Sequence, residues 1–249
     1  MAGVKGVGDL PDVAIFYTGT SGPSIMAGLR AFDVAIGDPS ADLTAAVDEF
    51  DPEYEALVLT SPFSVLTEAI GRPVYGPRPS AQSDLEDKMV VDDIWEASGI
   101  ARAPSEIVVV ADAVLASRRV AGPLGSVWVA DNKEGWHGGA DYVRWVRTEE
   151  DEAEAVDWYA DRADRVRVMP FLDGIPCSIH GWVTHNGIAV TRPLEILVLR
   201  RTDRTGFVYG GMANYWDPPN TLREAMRSAA RAVGQHLIER VGYRGPYGI

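Results

Sequence analysis

The chain has 249 residues, 46% of them hydrophobic, and a formal net charge of −13. That is enough apolar material for a substantial core in one large domain or two or three smaller ones, and the acidic field excludes nonspecific binding to nucleic acid or anionic membrane, so any phosphate site has to be built locally. Residues 1–19 carry no apolar run after a basic start, no segment approaches the ~20 apolar residues of a membrane span, and the single cysteine, Cys177, allows no intrachain disulfide; the expectation is a cytoplasmic protein with no membrane or nucleic-acid partner.

Taken in order, residues 12–22 read as a buried strand ending in a glycine turn, 23–32 as a helix, and 32–37 as a second strand. Residues 41–50 have helical spacing, 55–61 read as a strand and 65–71 as a short helix. This alternation predicts a small parallel α/β unit over residues 1–80. A proline- and glycine-bearing loop closes it. The next helix is expected over 83–99, with Ser83 as N-cap, Glu86 completing a capping box and Gly99 as its stop. Strands at 106–111 and 126–131 flank a helix at 112–120, and an acidic-ended helix follows at 148–163. Further strands are predicted at 165–169 and 177–184, then a hairpin turn at His185–Gly187, strands over 188–201 and 206–216, and a last helix opened by a Thr221/Glu224 capping box and stopped at Gly242. A further strand starts at 243–249.

The chain contains three lysines, Lys5, Lys88 and Lys133, against twenty arginines. A lysine ammonium is a compact three-donor point charge suited to bridging phosphate oxygens, and the glycines after Lys133 let backbone N–H groups approach an anion without side-chain collision. Taken singly, an exposed lysine is a solubilising charge and a glycine cluster is a turn. In order along the chain they say more. Gly76, Pro77, Asp87, Lys88, Gly99, Ile100 and Pro104, followed by a strand, Lys133, Gly135, Gly138 and Gly139, resemble the entry of the ATP-grasp superfamily, as in biotin carboxylase and the purine-pathway ligases.

The resemblance implies an α/β chain that is α+β in its ATP-grasp part. A Rossmann-like pre-ATP-grasp domain, 1–80, would precede two ATP-grasp subdomains, 81–165 and 166–249, with an ATP cleft between them. It also implies an ATP-dependent, ADP-forming ligase that activates a small carboxylate as an acyl phosphate for attack by an amine or similar nucleophile. Lys88 and Lys133 would hold the phosphates and the loop of Gly135, Gly138 and Gly139 would close over them. His137 would touch a phosphate or cap that loop. Met169, Phe171 and Leu172, within a hinge at 168–172, would meet the adenine, although "VMPFL" also reads as a plain core strand. The family commonly has a glutamate at the first hinge position and an acid after the glycine turn; here stand Met169 and Pro176, so adenine recognition is expected through backbone groups. Arg192 or Arg200 would steady the acyl phosphate.

Cys177 and His180, three apart on a strand, point to opposite faces, so no zinc site is expected. The family's Mg²⁺ ligands fall late, and by this resemblance they are expected beyond Ile249, in a chain truncated before them. A second copy of the chain is a compatible partner. Two rival readings stand beside the ligase: a catalytically degraded nucleotide-binding or partner-binding protein that keeps the fold, and an unrelated α/β domain.

Overall fold

The computed structural model describes residues 13–17, 30–34, 43–54, 57–59, 67–69, 71–74, 80–135, 137–138, 140–201 and 205–249. The chain divides into two compact units, Met1–Ser83 and Asp84–Ile249.

In the first unit, strand β1 (Val13–Tyr17) pairs in parallel with β2 (Arg30–Val34) on one side and β3 (Leu57–Leu59) on the other. Helix α1 (Leu43–Phe50) lies in the crossover from β2 to β3, which flank β1 in the same parallel sheet. The helix expected over 23–32 lies mostly outside the described residues, and its last three, Arg30 to Phe32, belong to β2. The helix expected over 65–71 is replaced by a hairpin of β4 (Glu68–Ala69) and β5 (Arg72–Pro73). Arg72 is 2% exposed and ion-paired to Asp48 at 2.9 Å and Asp51 at 3.4 Å, tertiary contacts that override the local helical pattern.

A 3₁₀ helix, Ser80–Glu86, runs through the boundary at Ser83, and α2 (Val91–Ala97) follows in the second unit. The single helix expected from Ser83 is therefore broken, and no Ser83/Glu86 box caps it. Asp87 takes the Met89 amide on its own Oδ1 at 2.9 Å, the local bond by which aspartate competes with helix propagation. The stop at Gly99 forms as expected: with φ at 67°, it lets its N–H reach Glu96 and that of Ile100 reach Trp95.

Four antiparallel strands follow, β6 (Glu106–Val109), β7 (Ser126–Ala130), β8 (Val143–Val146) and β9 (Arg165–Pro170), in the order β6-β9-β7-β8. Helices α3 (Ala113–Val120) and α4 (Glu149–Ala160) cover one side. Thr148 caps α4 by accepting the Asp151 N–H at 3.2 Å. Because strand side chains alternate, Trp128, Ala130, Val146, Val166 and Val168 pack on Ala113, Ala116, Ala155 and Tyr159 as one buried core. Gly125, just before β7, has no alternative: a Cβ there would sit 2.3 Å from the Val146 carbonyl oxygen.

The remainder builds two three-stranded sheets. One is β10 (Cys177–Ser178), β13 (Leu194–Arg200) and β14 (Phe207–Ala213); the other is β12 (Gly187–Val190), β11 (His180–Thr184) and β15 (Gly245–Gly248). The hairpin predicted at His185–Gly187 joins β11 to β12, with Thr184 opposite Gly187. The final segment, expected as the start of a strand, is β15, antiparallel to β11. Helix α5 (Asn220–Val241) starts directly after Pro219 with no side-chain cap, so the Thr221/Glu224 box does not form, and it ends at Gly242 as expected. Its Val233 and Leu237 pack with Ile94 of α2, Val183 and Tyr243. Among the described residues no helix is long and apolar enough to cross a membrane.

Candidate functional site

The side of the four-stranded sheet away from α3 and α4 is the starting point. Cross-strand partners share a face, so the register places Met169, Val127 and Trp145 in one row on that open side, and Ile107, Arg167, Val129 and Val143 in the next. Ile107 is 39% exposed and Val109, two residues on, 51%. An apolar sheet face with exposed members suits a flat, partly apolar ligand.

Arg167 ties α2 to this face. Its Nε donates to Asp92 Oδ2 at 2.9 Å and its Nη2 to Oδ1 at 2.6 Å, a two-pronged pair whose side chains are 10% and 11% exposed. Ser105 Oγ adds a 2.5 Å bond to Asp92. Burial pushes the Asp92 carboxyl up, but the bonds from Arg167 and Ser105 and the charges of Arg167 and Arg102 outweigh it and hold the pKa below the ordinary carboxylate value. Arg167 Nη1 also donates to Met169 Sδ at 2.9 Å. Lys88, half-buried, lies four residues before Asp92 in the turn made by Asp87. The clamp thus carries the lysine-bearing turn toward the face that holds Met169.

Lys133 lies elsewhere along the same sheet. Strand β7 ends at Ala130, three residues before it, so the lysine belongs to a turn and not to the strand end. Asp131 shapes that turn by accepting the backbone N–H groups of Lys133 at 3.3 Å, Asp164 at 3.4 Å and Arg165 at 2.8 Å. The ammonium of Lys133 pairs with Asp164 at 3.0 Å, and that hydrogen bond raises its pKa from the ordinary lysine value. Asp164 precedes the start of β9, whereas Met169 lies near its far end, five residues and about 17 Å along the strand, and Phe171 and Leu172 follow that end. Lys88 stands just before α2, and Lys133 in the turn after β7, paired with Asp164 just before β9.

Gly135 has φ at 105°. His137 Nε2 lies 3.2 Å from the Ala130 carbonyl and 3.1 Å from that of Asp131, and since carbonyls only accept, this nitrogen carries the proton and donates. Its ring stacks on Tyr142 at 4.4 Å, and the Tyr142 hydroxyl donates to Glu134 at 2.6 Å. His137 is thus held against the end of β7. Gly138 accepts the Asp141 N–H at 3.2 Å. Gly139 lies outside the described residues, as do Gly76 and Pro77 of the entry motif.

At the other end of β9 an aromatic and cationic cluster forms. Phe171 donates its N–H to Gly125 at 3.0 Å and stacks on Trp145 at 4.6 Å. The Arg200 guanidinium lies 4.4 Å from the Trp145 ring centre and 5.2 Å from that of Phe171, while Arg147 covers Trp145 at 4.4 Å. Leu172 is 69% exposed. Arg200 is thus brought to the hinge residues. Arg192 is not; it shares Asp217 with Arg223, at 3.5 and 2.7 Å, on the surface. The sequence reading missed Asp92, Arg167 and Trp145. Only the alternation of "RVRVM", which puts Arg167 on the same side as Met169, could have pointed to one of them.

Among the described residues no three His, Cys, Asp or Glu side chains gather as metal ligands. Cys177 and His180 lie on different strands, in different sheets. The described residues therefore offer no ligand set for the Mg²⁺ that the resemblance implies.

No protein-family model and no curated protein matches the chain. Solved structures do. It is similar to phosphoribosylamine–glycine ligase from Thermotoga maritima (16% identity, TM-score 0.62, covering 95% of this chain and 63% of that one). It is also similar to the ADP complex of N5-carboxyaminoimidazole ribonucleotide synthetase (14%, 0.54, covering 90% and 56%) and to D-alanyl-alanine synthetase A from Vibrio cholerae O1 biovar eltor (15%, 0.51, covering 72% and 55%). The chain spans 55% to 63% of the length of these three proteins.

Proposed function

We propose that the chain, whose fold is that of the ATP-grasp ligases, binds ATP across the open face of the β6-β9-β7-β8 sheet, between subdomains 81–165 and 166–249, as part of an ATP-dependent ligase. The observation that supports this reading is the Asp92–Arg167 clamp, which ties α2, just after Lys88 in the chain, to the strand that carries Met169. Backbone groups of 168–172 meet the adenine edge, with Phe171, stacked under Arg200, beside them. Lys88 and Lys133 hold the phosphates. To reach them, Lys133 exchanges the exposed Asp164 carboxylate for phosphate oxygens, a modest loss because solvent screens an exposed ion pair. The loop of Gly135, Gly138 and Gly139 lifts from its His137 tether to cover the triphosphate.

The reaction moves the γ-phosphoryl group from ATP to a carboxylate oxygen of a small acid and ADP leaves; an amine or similar nucleophile then attacks the acyl carbon and inorganic phosphate leaves. Arg192, on a surface ion pair that a stronger anion can displace, is the group for the acyl phosphate, and Arg200 positions the adenine end. A nucleotide-binding protein without turnover is the second reading, and Met169 and Pro176, at positions that are commonly acidic in the family, favour it.

Titration calorimetry with ATP tests the proposal. Lys88→Ala and Lys133→Ala are each expected to weaken binding about tenfold or more, equivalent to about 1.4 kcal/mol, with Arg240→Ala as an unaffected control. Unchanged affinity in both lysine variants refutes the site. ADP release in the presence of carboxylic acids separates the ligase from the binding-only reading.

A further inference from the structure

We infer that Asp131 is a positioning residue for nucleotide binding: its buried carboxylate fixes the turn that carries Lys133 and so holds the ammonium where a phosphate can meet it. This role rests on the proposed assignment of Lys133 to the ATP phosphates, and it names the group on which that assignment depends.

Lys133 stands three residues past the end of β7, in a turn closed by the Gly135 N–H, which donates to the Asn132 carbonyl at 2.9 Å. So short a turn outside the sheet has few bonds of its own, and a lysine side chain loses rotamer freedom when it grips a ligand. A backbone held in place beneath it lowers that cost. Asp131, 6% exposed, supplies the hold. Its Oδ1 accepts the N–H of Lys133 at 3.3 Å and that of Asp164 at 3.4 Å; its Oδ2 accepts the N–H of Arg165 at 2.8 Å, with Arg165 Nε 3.9 Å away. The first bond is local, from two residues on. The other two come from the start of β9, 33 and 34 residues away in the chain, and the Asp131 N–H adds a bond to the Arg165 carbonyl at 3.1 Å. One carboxylate thus locks the lysine turn to a strand, and the turn cannot shift without breaking bonds to β9.

The charge of Asp131 has the wrong sign for a phosphate site. A carboxylate two residues from Lys133 repels a polyanion, so charge alone makes its removal tighten ATP binding, whereas lost positioning makes its removal weaken it. Asp164 is the internal comparison. Its side chain is 72% exposed and pairs with the Lys133 ammonium at 3.0 Å instead of holding the backbone of the turn. The two aspartates beside one lysine therefore have opposite roles, Asp131 presenting the ammonium and Asp164 competing for it.

Titration calorimetry with ATP on the full chain tests this in a double-mutant cycle. Asp131→Ala is expected to weaken binding about fivefold or more in the parent chain, and by less than about twofold in Lys133→Ala, where no ammonium is left to place. Asp164→Asn is expected to bind ATP more tightly than the parent. Asp131→Asn, which keeps a single acceptor oxygen, should fall between the parent and Asp131→Ala, and it decides in place of the alanine variant if circular dichroism shows that one unfolded. The role is overturned if the folded Asp131 variants bind ATP as tightly as the parent or more tightly, or if they lose as much affinity without Lys133 as with it, the result a general structural role produces. An equal loss in Asp164→Asn overturns it as well, because the removed charge and not the geometry would then be the cause. A Lys133→Ala chain that binds ATP like the parent refutes the nucleotide assignment of Lys133 and this role with it. A weakened Lys133→Ala beside an uncoupled Asp131 loss refutes this role alone and leaves that assignment standing.

Discussion

Asp92→Ala is expected to lower the free energy of unfolding by about 3–5 kcal/mol, the usual cost of leaving one member of a buried ion pair alone. Arg167 is 8% exposed, and both of its bonds to Asp92 would be lost together with the one from Ser105. The packing of α2 on the sheet and the placement of Lys88 depend on the same pair, so the variant should also lose ATP affinity although Asp92 touches no nucleotide in the proposed pose. The pair gives the protein a pH signature. The folded Asp92 pKa is depressed, so its contribution is present in full above the unfolded carboxylate value, near 3.9, and disappears as pH falls through the lower folded value. Urea unfolding between pH 7 and pH 2 should therefore show parent and Asp92→Ala curves that converge on the acid side. Parallel curves throughout would mean that the pair contributes no linkage.

Trp128→Ala should destabilise by a comparable amount, about 3–5 kcal/mol. The indole is fully buried and stacks near Tyr159 at 6.4 Å; its Nε1 donates to Ser126 Oγ at 2.9 Å, which in turn bonds Ser117 Oγ at 2.6 Å. The substitution opens a cavity under α3 and α4 and leaves a buried serine pair with one partner fewer. Guanidinium unfolding measures it through a lower midpoint at constant slope. A loss under about 1 kcal/mol would mean that the core collapses onto the space, which close packing opposes.

Local chemistry made much of this chain legible. The acidic first turn of α4, the Gly99 stop and the His185–Gly187 hairpin each depend on interactions within a few residues, and each appears where the sequence places it. The failures have the opposite character. Residues 65–71 have helical spacing, but Arg72 is drawn into contacts with Asp48 and Asp51, and a hairpin results. Ser83 and Glu86 are spaced as a capping box, yet the Asp87 side chain captures the Met89 amide and delays the helix to Val91. At the site, the lysines and glycines could be read because they are rare or locally clustered. Asp92 and Arg167 are separated by 75 residues, and the ring pairing of Trp145 with Phe171 by 26, so no local period announces them.

Photolabelling with 8-azido-ATP followed by peptide mapping tests the central claim most directly. The account predicts label concentrated in residues 168–172 and abolished by excess ATP. Label confined to the α3 and α4 side of the sheet, or label that excess ATP does not displace, would contradict it.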